Sequence, residues 1–456
     1  MTIQGQNPPS PSARLPGRGM RVLGCLLALA AAVYVTINLG IPLAPERLPT
    51  PPGDPDAPPR YRVLDFSQEW ASARNLFNAK PIYRDHNEAI CDYLGFHRDL
   101  SDPNIYYSLQ VNAHPPTSVL LGIPFAWMEY HHAFLAWNVL SLAAVIASGW
   151  LVVRQLGVRV TLTGLLITYV LVLLYSPFRQ QFSQGQLNAV LLLLITGAWA
   201  AERSARPGLA GVLLAVAAAV KFIPAFLLLY YAVRGRWRVV WSGVACLAAV
   251  TVLTVLVLGS EAFTTYFGSV MPHVATTYAD GWINASLPGF FKKLFEARSG
   301  HIEPLLRSPA LCLIGIVLAD LAVVLVTFVV ARRARTRAGE DLAFGLAIVA
   351  MLLVAPITWD HYFLLLLIPL VLVGMQLRKL GGWIWLFFLC LVPLWLAPLW
   401  LYKPARLGSE SLEHPAQPWQ VLTGLSLQCY ALVGLFAVLT AAASRERGTG
   451  PGGPAT

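Results

Sequence analysis

A small number of polar side chains stand where they could do chemistry, because most of this 456-residue chain is apolar. Asp65 is the first of them, in "VLDFSQEW", just beyond the first strongly apolar segment. A carboxylate held at a membrane boundary could act as a general base toward a hydroxyl group. Asp is also a good helix N-cap, and the stretch "DFSQEWASARNLFNAKPIY" has the apolar spacing of an amphipathic surface helix. The residues alone leave both roles open for Asp65.

Two charged residues lie inside apolar runs, where a charge is costly unless it has a partner. Lys221 stands in "AAAVKFIPAF", and Asp320 stands in "GIVLADLAVVLV". The natural partner of Lys221 would be an anionic headgroup such as a lipid phosphate, although a lysine at a helix end can also snorkel to the interface. For Asp320 we expect a structural polar contact, with Lys221 as one candidate partner.

Two further motifs carry amides and an imidazole. In "FSQGQLN", Gly185 permits a close approach, and Gln186 and Asn188 present amide donors and acceptors. In "APITWDHYF", Asp360 and His361 are adjacent, but two neighbouring side chains point apart and are too few to hold a metal ion. Each motif also has a plain structural explanation: a polar turn for the first, and a helix start with an acidic first turn for the second.

Two more residues complete the candidate set. His114 precedes a Pro-Pro pair in "NAHPPTSVLL", which fixes the direction of the chain, so His114 is either a site residue or a turn residue. Asn284 lies in "INAS", which matches the N-glycosylation acceptor pattern, a weak signal in any sequence.

The composition excludes a soluble protein and gives no support to nucleic-acid binding. The chain is 56% hydrophobic and 12% charged, against about 25% charged residues in soluble domains, and its mean hydropathy is +0.60. Several apolar runs reach the roughly 20 residues that cross a bilayer as a helix. The net charge of +10 comes largely from short basic clusters between these runs, without a basic stripe of interleaved aromatics. We therefore predict an all-α polytopic membrane protein.

The basic clusters set the predicted topology, because Lys and Arg collect on the cytoplasmic side. Placing the clusters in the cytoplasm gives about twelve spans with both termini inside, and it makes the first apolar segment a retained signal-anchor helix. The spans are approximately 21–43, 132–153, 160–177, 186–201, 207–221, 222–233, 239–258, 309–331, 341–355, 361–377, 383–401 and 420–443. The regions are then a cytoplasmic tail (1–20), a first transmembrane helix (21–43), a large outer loop with interfacial and re-entrant helices that would be the catalytic loop (44–131), a transmembrane bundle (132–258), a second outer loop (259–308), a C-terminal bundle (309–443) and a second cytoplasmic tail (444–456).

Two apolar segments do not fit a simple count of spans. Residues 116–128 are too short to cross a bilayer, so we expect a re-entrant or interfacial helix there. Residues 207–233 would form one helix of about 40 Å, which would place consecutive arginine clusters on opposite sides. We expect a broken hairpin with Lys221 and Pro224 near its apex, facing a cavity within the membrane. On this topology every candidate residue except Asp320 lies on the outer side or faces a cavity open to it.

This inventory suits the transfer of a sugar from a lipid phosphate. The acceptor hydroxyl needs a base, and a phosphate leaving group needs charge stabilisation rather than a protonating acid. One carboxylate is then sufficient, whereas an inverting glycosidase needs two. The alternatives are a transporter or flippase of lipid-linked sugars, with Lys221 and Asp320 as a buried ion pair, and a non-catalytic binder of such sugars.

The order and spacing of six elements resemble glycosyltransferase family 87, of the GT-C type, over about residues 60–375. The elements are "DFSQEWASARNLFNAKPIY", "HPPTSVLLGIPF", "FSQGQLNAVLLLL", "GVLLAVAAAVKFIPAFLLLYYAVRGRWR", "NASLPGF" and "APITWDHYFLLLLIP". The best-known members of this family are bacterial polyprenol-phosphate-mannose-dependent α-1,2-mannosyltransferases. The resemblance implies a GT-C-type fold and an inverting glycosyltransferase in the cell membrane, with its active site on the outer side.

The resemblance also implies roles for single residues. Asp65 matches the catalytic base, Lys221 would stabilise the donor phosphate, and His361 would lie near the donor or the acceptor. The expected partners are a polyprenyl-phosphate sugar, with mannose as the sugar, a glycolipid or glycan acceptor and the bilayer. Neither nucleic acid, nor a cofactor, nor a metal is implied.

The remaining candidates are matched with less detail. Gln186, Asn188 and Asn284 correspond to recurrent family positions, and we group His114 with them as substrate-binding candidates. A Pro-rich stretch before Asp65 and the insertion "YRDHNEAICDYLGFHRDLSDPN" depart from the simplest family pattern and leave the acceptor open.

Overall fold

The computed structural model describes residues 18–47, 61–95, 111–402 and 415–446, and every regular element within these ranges is helical. Two isolated β-bridges, Arg47 with Tyr61 and Ile302 with Ala416, are also present there. The predicted all-α class is therefore confirmed for the described residues. Expectations about both tails, about most of the Pro-rich stretch and about the second half of the insertion lie outside these residues.

The helices follow one another closely along the chain. The first eleven are α1 Arg18–Leu39, α2 Ser67–Phe77, α3 His86–Leu94, α4 Pro116–Gly122, α5 Tyr130–Leu156, α6 Leu162–Leu174, α7 Ser176–Gln184, α8 Asn188–Arg203, α9 Pro207–Val220, α10 Ala225–Val233 and α11 Trp237–Leu258. The others are α12 Glu261–Thr265, α13 Met271–Thr277, α14 Leu287–Phe295, α15 Pro309–Arg333, α16 Arg337–Val354, α17 Leu367–Met375, α18 Trp383–Trp395, α19 Pro398–Tyr402, α20 Pro418–Leu422 and α21 Leu427–Arg445.

The chain divides into two compact units. The smaller one contains α1 and α6, which pack together, and the hydroxyl groups of Thr36 and Tyr169 lie 2.8 Å apart between them. The larger unit comprises residues 42–157 and 175–456 and contains every candidate residue.

Among the described residues, five helices are long and apolar enough to cross a membrane, or six if α6 and α7 are counted as one broken span. The five are Val22–Leu39, Tyr130–Leu156, Trp237–Leu258, Pro309–Arg333 and Pro418–Arg445. Shorter apolar helices cover Pro116–Phe125, Pro207–Val220, Asp360–Met375 and Trp383–Trp395. These helices are consistent with a membrane protein, and the count of twelve spans stays a prediction.

The helical structure is interrupted between α9 and α10, at the predicted place. α9 ends at Val220, and Lys221 has the extended backbone angles φ −142° and ψ +139°. α10 begins only at Ala225, directly after Pro224, which cannot donate a backbone hydrogen bond into a helix. The break at Lys221 and Pro224 is confirmed, and it turns the lysine out of the helical ladder.

α2 is not the surface helix that its amphipathic spacing predicts. Eight of its eleven residues are buried, including the polar side chains of Gln68 and Glu69. α4 packs against it so closely that a Cβ atom on Gly122 would stand 2.4 Å from the carbonyl oxygen of Glu69. The Nε1 of Trp70 donates to the carbonyl of Met128 at 3.1 Å. The surface interpretation is wrong because a partner helix covers the polar face of α2 as well.

His86, at the start of α3, forms a hydrogen bond that connects α3 to α2. Its Nε2 lies 2.8 Å from the hydroxyl oxygen of Ser67, and its side chain is buried. Burial lowers the pKa of His86 from 6.5 to about 4, because the charged ring would lose its hydration.

We expect acidification to loosen the contact between α2 and α3. In the unfolded segment His86 becomes protonated below about pH 6.5, whereas in the folded protein it becomes protonated only near pH 4. The free energy of local opening therefore falls as the pH drops through that window, by about 3 kcal/mol in full. Hydrogen exchange of residues 67–94, corrected for intrinsic rates, measures this loss. His86→Gln keeps a hydrogen-bonding side chain without the charge change and should flatten the profile; identical profiles for both proteins would refute the assignment.

Candidate active site

Five of the predicted residues line one cavity of about 270 Å³: Asp65, His114, Gln186, Lys221 and His361. The volume is close to the lower end of the range for small-molecule clefts, about 300–1,000 Å³. Asp65 is the one carboxylate among the described residues that line this cavity. The rest of the wall is largely aromatic and aliphatic, with Phe222, Tyr266, Tyr278, Trp359 and Tyr362 as its rings.

Asp65 lies in the turn before α2, and a residue from another part of the chain holds its side chain. The N-cap of α2 is Phe66, so Asp65 stands one position before the cap. The Nε2 of Gln186 donates a hydrogen bond to Oδ2 of Asp65, and the backbone N–H of Phe66 donates to the carbonyl of Gln184 at 3.1 Å. The carboxylate is half-buried and oriented by an amide, with access to the cavity.

Gly185 is required for this approach of the two segments. It ends α7 in the left-handed region, at φ +66°, where glycine pays no steric penalty. A Cβ atom at this position would stand 2.7 Å from Cβ of Phe66 and 3.0 Å from the ring of Phe134. The carbonyl of Gly185 accepts a hydrogen bond from Nε1 of Trp137 at 2.8 Å. The backbone around Gln186 is therefore fixed against the start of α2.

Asn188 connects Lys221 to His361. Its Oδ1 accepts a hydrogen bond from Nζ of Lys221 at 3.3 Å, and its Nδ2 donates to the carbonyl of His361 at 3.3 Å. Asn188 is fully buried and does not line the cavity, so it supports the two residues that do. Nζ of Lys221 also lies 4.3 Å from the ring centroid of Tyr362, a cation–π distance.

A second buried lysine, Lys293, has a hydrogen-bond acceptor for each proton of its ammonium group. Nζ of Lys293 donates to three carbonyls, those of Trp282, Asn284 and Leu425, at 3.5, 2.9 and 3.2 Å. An ammonium group has three protons to donate, so the three backbone carbonyls fill the hydrogen-bonding capacity of Lys293. Lys221 has a single hydrogen-bond acceptor among the described residues, and it borders a cavity. Its remaining donors suit an anion in that cavity.

Glu69 is a site residue that the sequence analysis did not identify. It follows Asp65 by four positions, is 2% exposed, and its Oε1 lies 2.6 Å from Nδ1 of His114. The hydroxyl of Ser118 donates to the same oxygen at 3.4 Å. When the carboxylate accepts the Nδ1 proton, the neutral ring of His114 presents Nε2 as its acceptor. The signal in the sequence was a second carboxylate close to Asp65, four positions later within "DFSQEW".

Asn284 and Asp320 lie outside the cavity lining. Asn284 donates to the carbonyls of Ala279 and Pro356 at 3.0 Å each, and its Oδ1 accepts from the N–H groups of Ser286 and Thr358 at 3.1 and 3.0 Å. This amide is saturated and joins two loops.

Asp320 lies on α15 and forms neither a hydrogen bond nor an ion pair with Lys221 among the described residues. Its Oδ1 has no hydrogen-bond partner in that part of the chain. The ion pair on which the transport alternative relied is therefore not formed.

The described residues contain no group of three or more His, Cys, Asp or Glu side chains that could hold a metal ion. Nδ1 of His361 and Oδ1 of Asp360 lie 3.7 Å apart, and both residues are buried.

We expect Gly185→Ala to destabilise the protein more than Gly157→Ala. Both glycines end a helix in the left-handed region, at φ +66° and φ +64°, so both substitutions carry the same backbone strain of about 1–2 kcal/mol. Only Gly185 has neighbours that an added methyl group would strike, whereas nothing lies within 4 Å of that position at Gly157. The extra cost should be about 1–3 kcal/mol, typical of overpacking. Thermal unfolding of the two purified variants measures it, and equal losses would contradict the close approach.

Comparison with known proteins identifies the family of the chain. The sequence model of glycosyltransferase family 87 matches residues 112–356, more than half of the chain, and Asp65 and His361 flank the matched range. A polyprenol-phosphate-mannose-dependent alpha-(1-2)-phosphatidylinositol mannoside mannosyltransferase of Mycobacterium tuberculosis is 26% identical over 339 residues, which is 70% of this chain and 74% of the relative.

Two relatives from Mycolicibacterium smegmatis are similar to the same degree. A polyprenol-phosphate-mannose-dependent alpha-(1-2)-phosphatidylinositol pentamannoside mannosyltransferase is 27% identical over 62% of this chain and 67% of the relative. A phosphatidylinositol mannoside mannosyltransferase with the same donor dependence is 26% identical over 73% of this chain and 76% of the relative. No solved structure matches the chain with significance. The chain belongs to glycosyltransferase family 87 and is a membrane glycosyltransferase.

Proposed function

We propose that this enzyme moves mannose from a polyprenyl-phosphate donor to a hydroxyl group of a glycolipid or glycan, with inversion at the anomeric carbon. The observation that carries the proposal is one cavity bordered by a carboxylate, Asp65, and an ammonium group, Lys221. The relatives named above depend on polyprenol-phosphate mannose and act on phosphatidylinositol mannosides, which supports the donor and a glycolipid acceptor. The cavity's mixture of rings and a few polar groups suits a sugar between two lipids.

Asp65 is the proposed general base. As the acceptor oxygen attacks the anomeric carbon, the carboxylate removes the proton from that hydroxyl group, so no free alkoxide has to form. The hydrogen bond from Gln186 orients the carboxylate of Asp65, which borders the cavity in which the acceptor would bind. His114, held by Glu69, offers a ring nitrogen for a second sugar hydroxyl in the same cavity.

Lys221 is the proposed partner of the leaving group. The bond between the anomeric carbon and the phosphate oxygen breaks as the new glycosidic bond forms, and polyprenyl phosphate departs with an additional negative charge. An ammonium fixed beside that oxygen stabilises the charge without a proton transfer. Attack from the face opposite the phosphate inverts the configuration, so a β-linked donor gives an α-linkage. His361 lies in the same wall and completes the proposed donor site.

The proposed orientation places both termini in the cytoplasm and the cavity on the outer side of the membrane. Helices that reach the cavity at one end and a basic cluster at the other support this orientation. α9 begins beside Arg203 and Arg206 and ends at Lys221, about 21 Å away along the helix. Because basic clusters mark the cytoplasmic side, the lysine end faces outward. The twelve spans, and the outer loop 44–131 as the catalytic loop, form part of this proposal.

The test is transfer of radiolabelled mannose from polyprenyl-phosphate mannose to lipids extracted from the source cell. Asp65→Asn should lower the transfer rate by about 10²–10⁴-fold, the usual contribution of a general base, while donor binding persists. Asp85→Asn is the matched control, because Asp85 caps α3 in the same loop, and asparagine caps a helix equally well.

Three results decide the matter. Loss of transfer in Asp65→Asn with normal transfer in Asp85→Asn supports the proposed base. Equal transfer by both variants would reduce Asp65 to a structural residue. If the wild-type protein transfers no mannose but does transfer another lipid-linked sugar, the assignment of mannose is wrong and the base remains testable with that donor.

A further inference from the structure

A second cavity, of about 620 Å³, lies at the opposite ends of three helices that reach the candidate active site. α8 runs from Asn188 to this cavity, α9 runs from it to the break at Lys221, and α16 runs from it toward the loop that carries His361. These helices are about 20–27 Å long. The cavity is therefore separated from the site of the proposed reaction, and it does not depend on the proposed function.

The inner part of this cavity contains two ion pairs. Arg203 pairs with Asp341, which also accepts a hydrogen bond from Nε1 of Trp199 at 2.9 Å. Arg234, whose side chain is 7% exposed, pairs with Glu340. A buried guanidinium without a partner would be strongly destabilising, so these carboxylates hold the arginines in fixed positions around the cavity.

The outer part of the cavity has more positive than negative charge. Five arginines and three carboxylates line the cavity, a formal excess of two positive charges. The excess comes from Arg238 and Arg337, since neither forms an ion pair among the described residues. The guanidinium group of Arg337 donates to the carbonyl of Arg203 at 2.7 Å. Arg238 and Arg337 are both exposed. A guanidinium group without a carboxylate partner is a ready bidentate donor to phosphate oxygens.

Exposed tryptophans stand beside the cavity. Trp237 lines it and is 53% exposed, and Trp241, one turn along α11, is 65% exposed. Their rings are stacked with centroids 6.4 Å apart. Exposed tryptophans at the end of a membrane helix are typical of the membrane–water interface. The cavity thus has a basic interior and an apolar edge at the level where lipid headgroups lie.

We propose that this cavity binds the phosphate group of an anionic ligand on the side of the membrane opposite the candidate active site. A basic pocket between transmembrane helices is the usual setting for anionic lipid headgroups, and the tryptophan edge suits the acyl chains of such a lipid. A soluble phosphate compound would satisfy the same arginines without using that edge. Topology signals alone explain basic loops, but they require neither a cavity nor a buried arginine such as Arg234.

The test measures binding of phosphatidylglycerol, phosphatidylcholine and inorganic pyrophosphate to the purified full-length protein. Native mass spectrometry reports the two lipids, and calorimetry reports pyrophosphate. The variant is the pair Arg238→Gln and Arg337→Gln. The matched control is the pair Arg333→Gln and Arg335→Gln, which removes the same charge from exposed residues near the start of α16 that do not line the cavity.

We expect the wild-type protein to retain phosphatidylglycerol and not phosphatidylcholine, and the cavity variant to bind phosphatidylglycerol roughly 30-fold more weakly, at about 1 kcal/mol for each arginine. The control should bind like the wild type. If pyrophosphate binds and this binding is lost in the cavity variant, the cavity is a phosphate site whose ligand is a soluble compound. Equal losses in both variants, or no loss in either, would overturn the proposal, because the binding would then reflect surface charge alone.

Discussion

The side-chain amide of Asn188 is the contact on which the candidate active site depends. It accepts a hydrogen bond from the ammonium of Lys221 and donates one to the carbonyl of His361, and it is fully buried. Each partner lies at an interruption of the helical ladder, one between α9 and α10 and the other at the short 3₁₀ turn Asp360–Leu366. Backbone and charged groups freed by such interruptions need internal partners when water is excluded. One amide supplies them at both places and thereby joins Lys221 and His361 in one wall of the cavity.

The opposite wall is built by packing rather than by charge. Phe66 sits within a group of rings from Phe125, Tyr130, Phe134 and Trp137, with centroids 5.4 to 6.4 Å away. This anchored ring fixes the turn that carries Asp65, and Gln186 sets the direction of its carboxylate. The proposed base and the proposed phosphate ligand thus belong to separate segments that line one cavity, and two nearby residues, Gln186 and Asn188, hold them in place.

The sequence was sufficient where a residue type has a strong local consequence. A lysine and a proline inside an apolar run predict a break, because neither is compatible with an uninterrupted buried helix. It was insufficient where burial depends on a partner helix. α2 has the spacing of a surface helix, and only the close approach at Gly122 buries Glu69 beside His114. Asn284 illustrates the same difficulty, since no sequence pattern reveals that its amide is saturated by two loops. The span count is open for a related reason: several apolar helices are too short to be counted by length alone.

The most direct test of the account is a cryo-electron microscopy structure of the Asp65→Asn protein with polyprenyl-phosphate mannose. The substitution removes the proposed base, so the donor should remain intact in the site. The donor phosphate should lie within hydrogen-bonding distance of Nζ of Lys221, at about 2.7–3.2 Å, with the free face of the anomeric carbon toward position 65. A donor phosphate bound away from Lys221, for example among the arginines of the second cavity, would contradict the account.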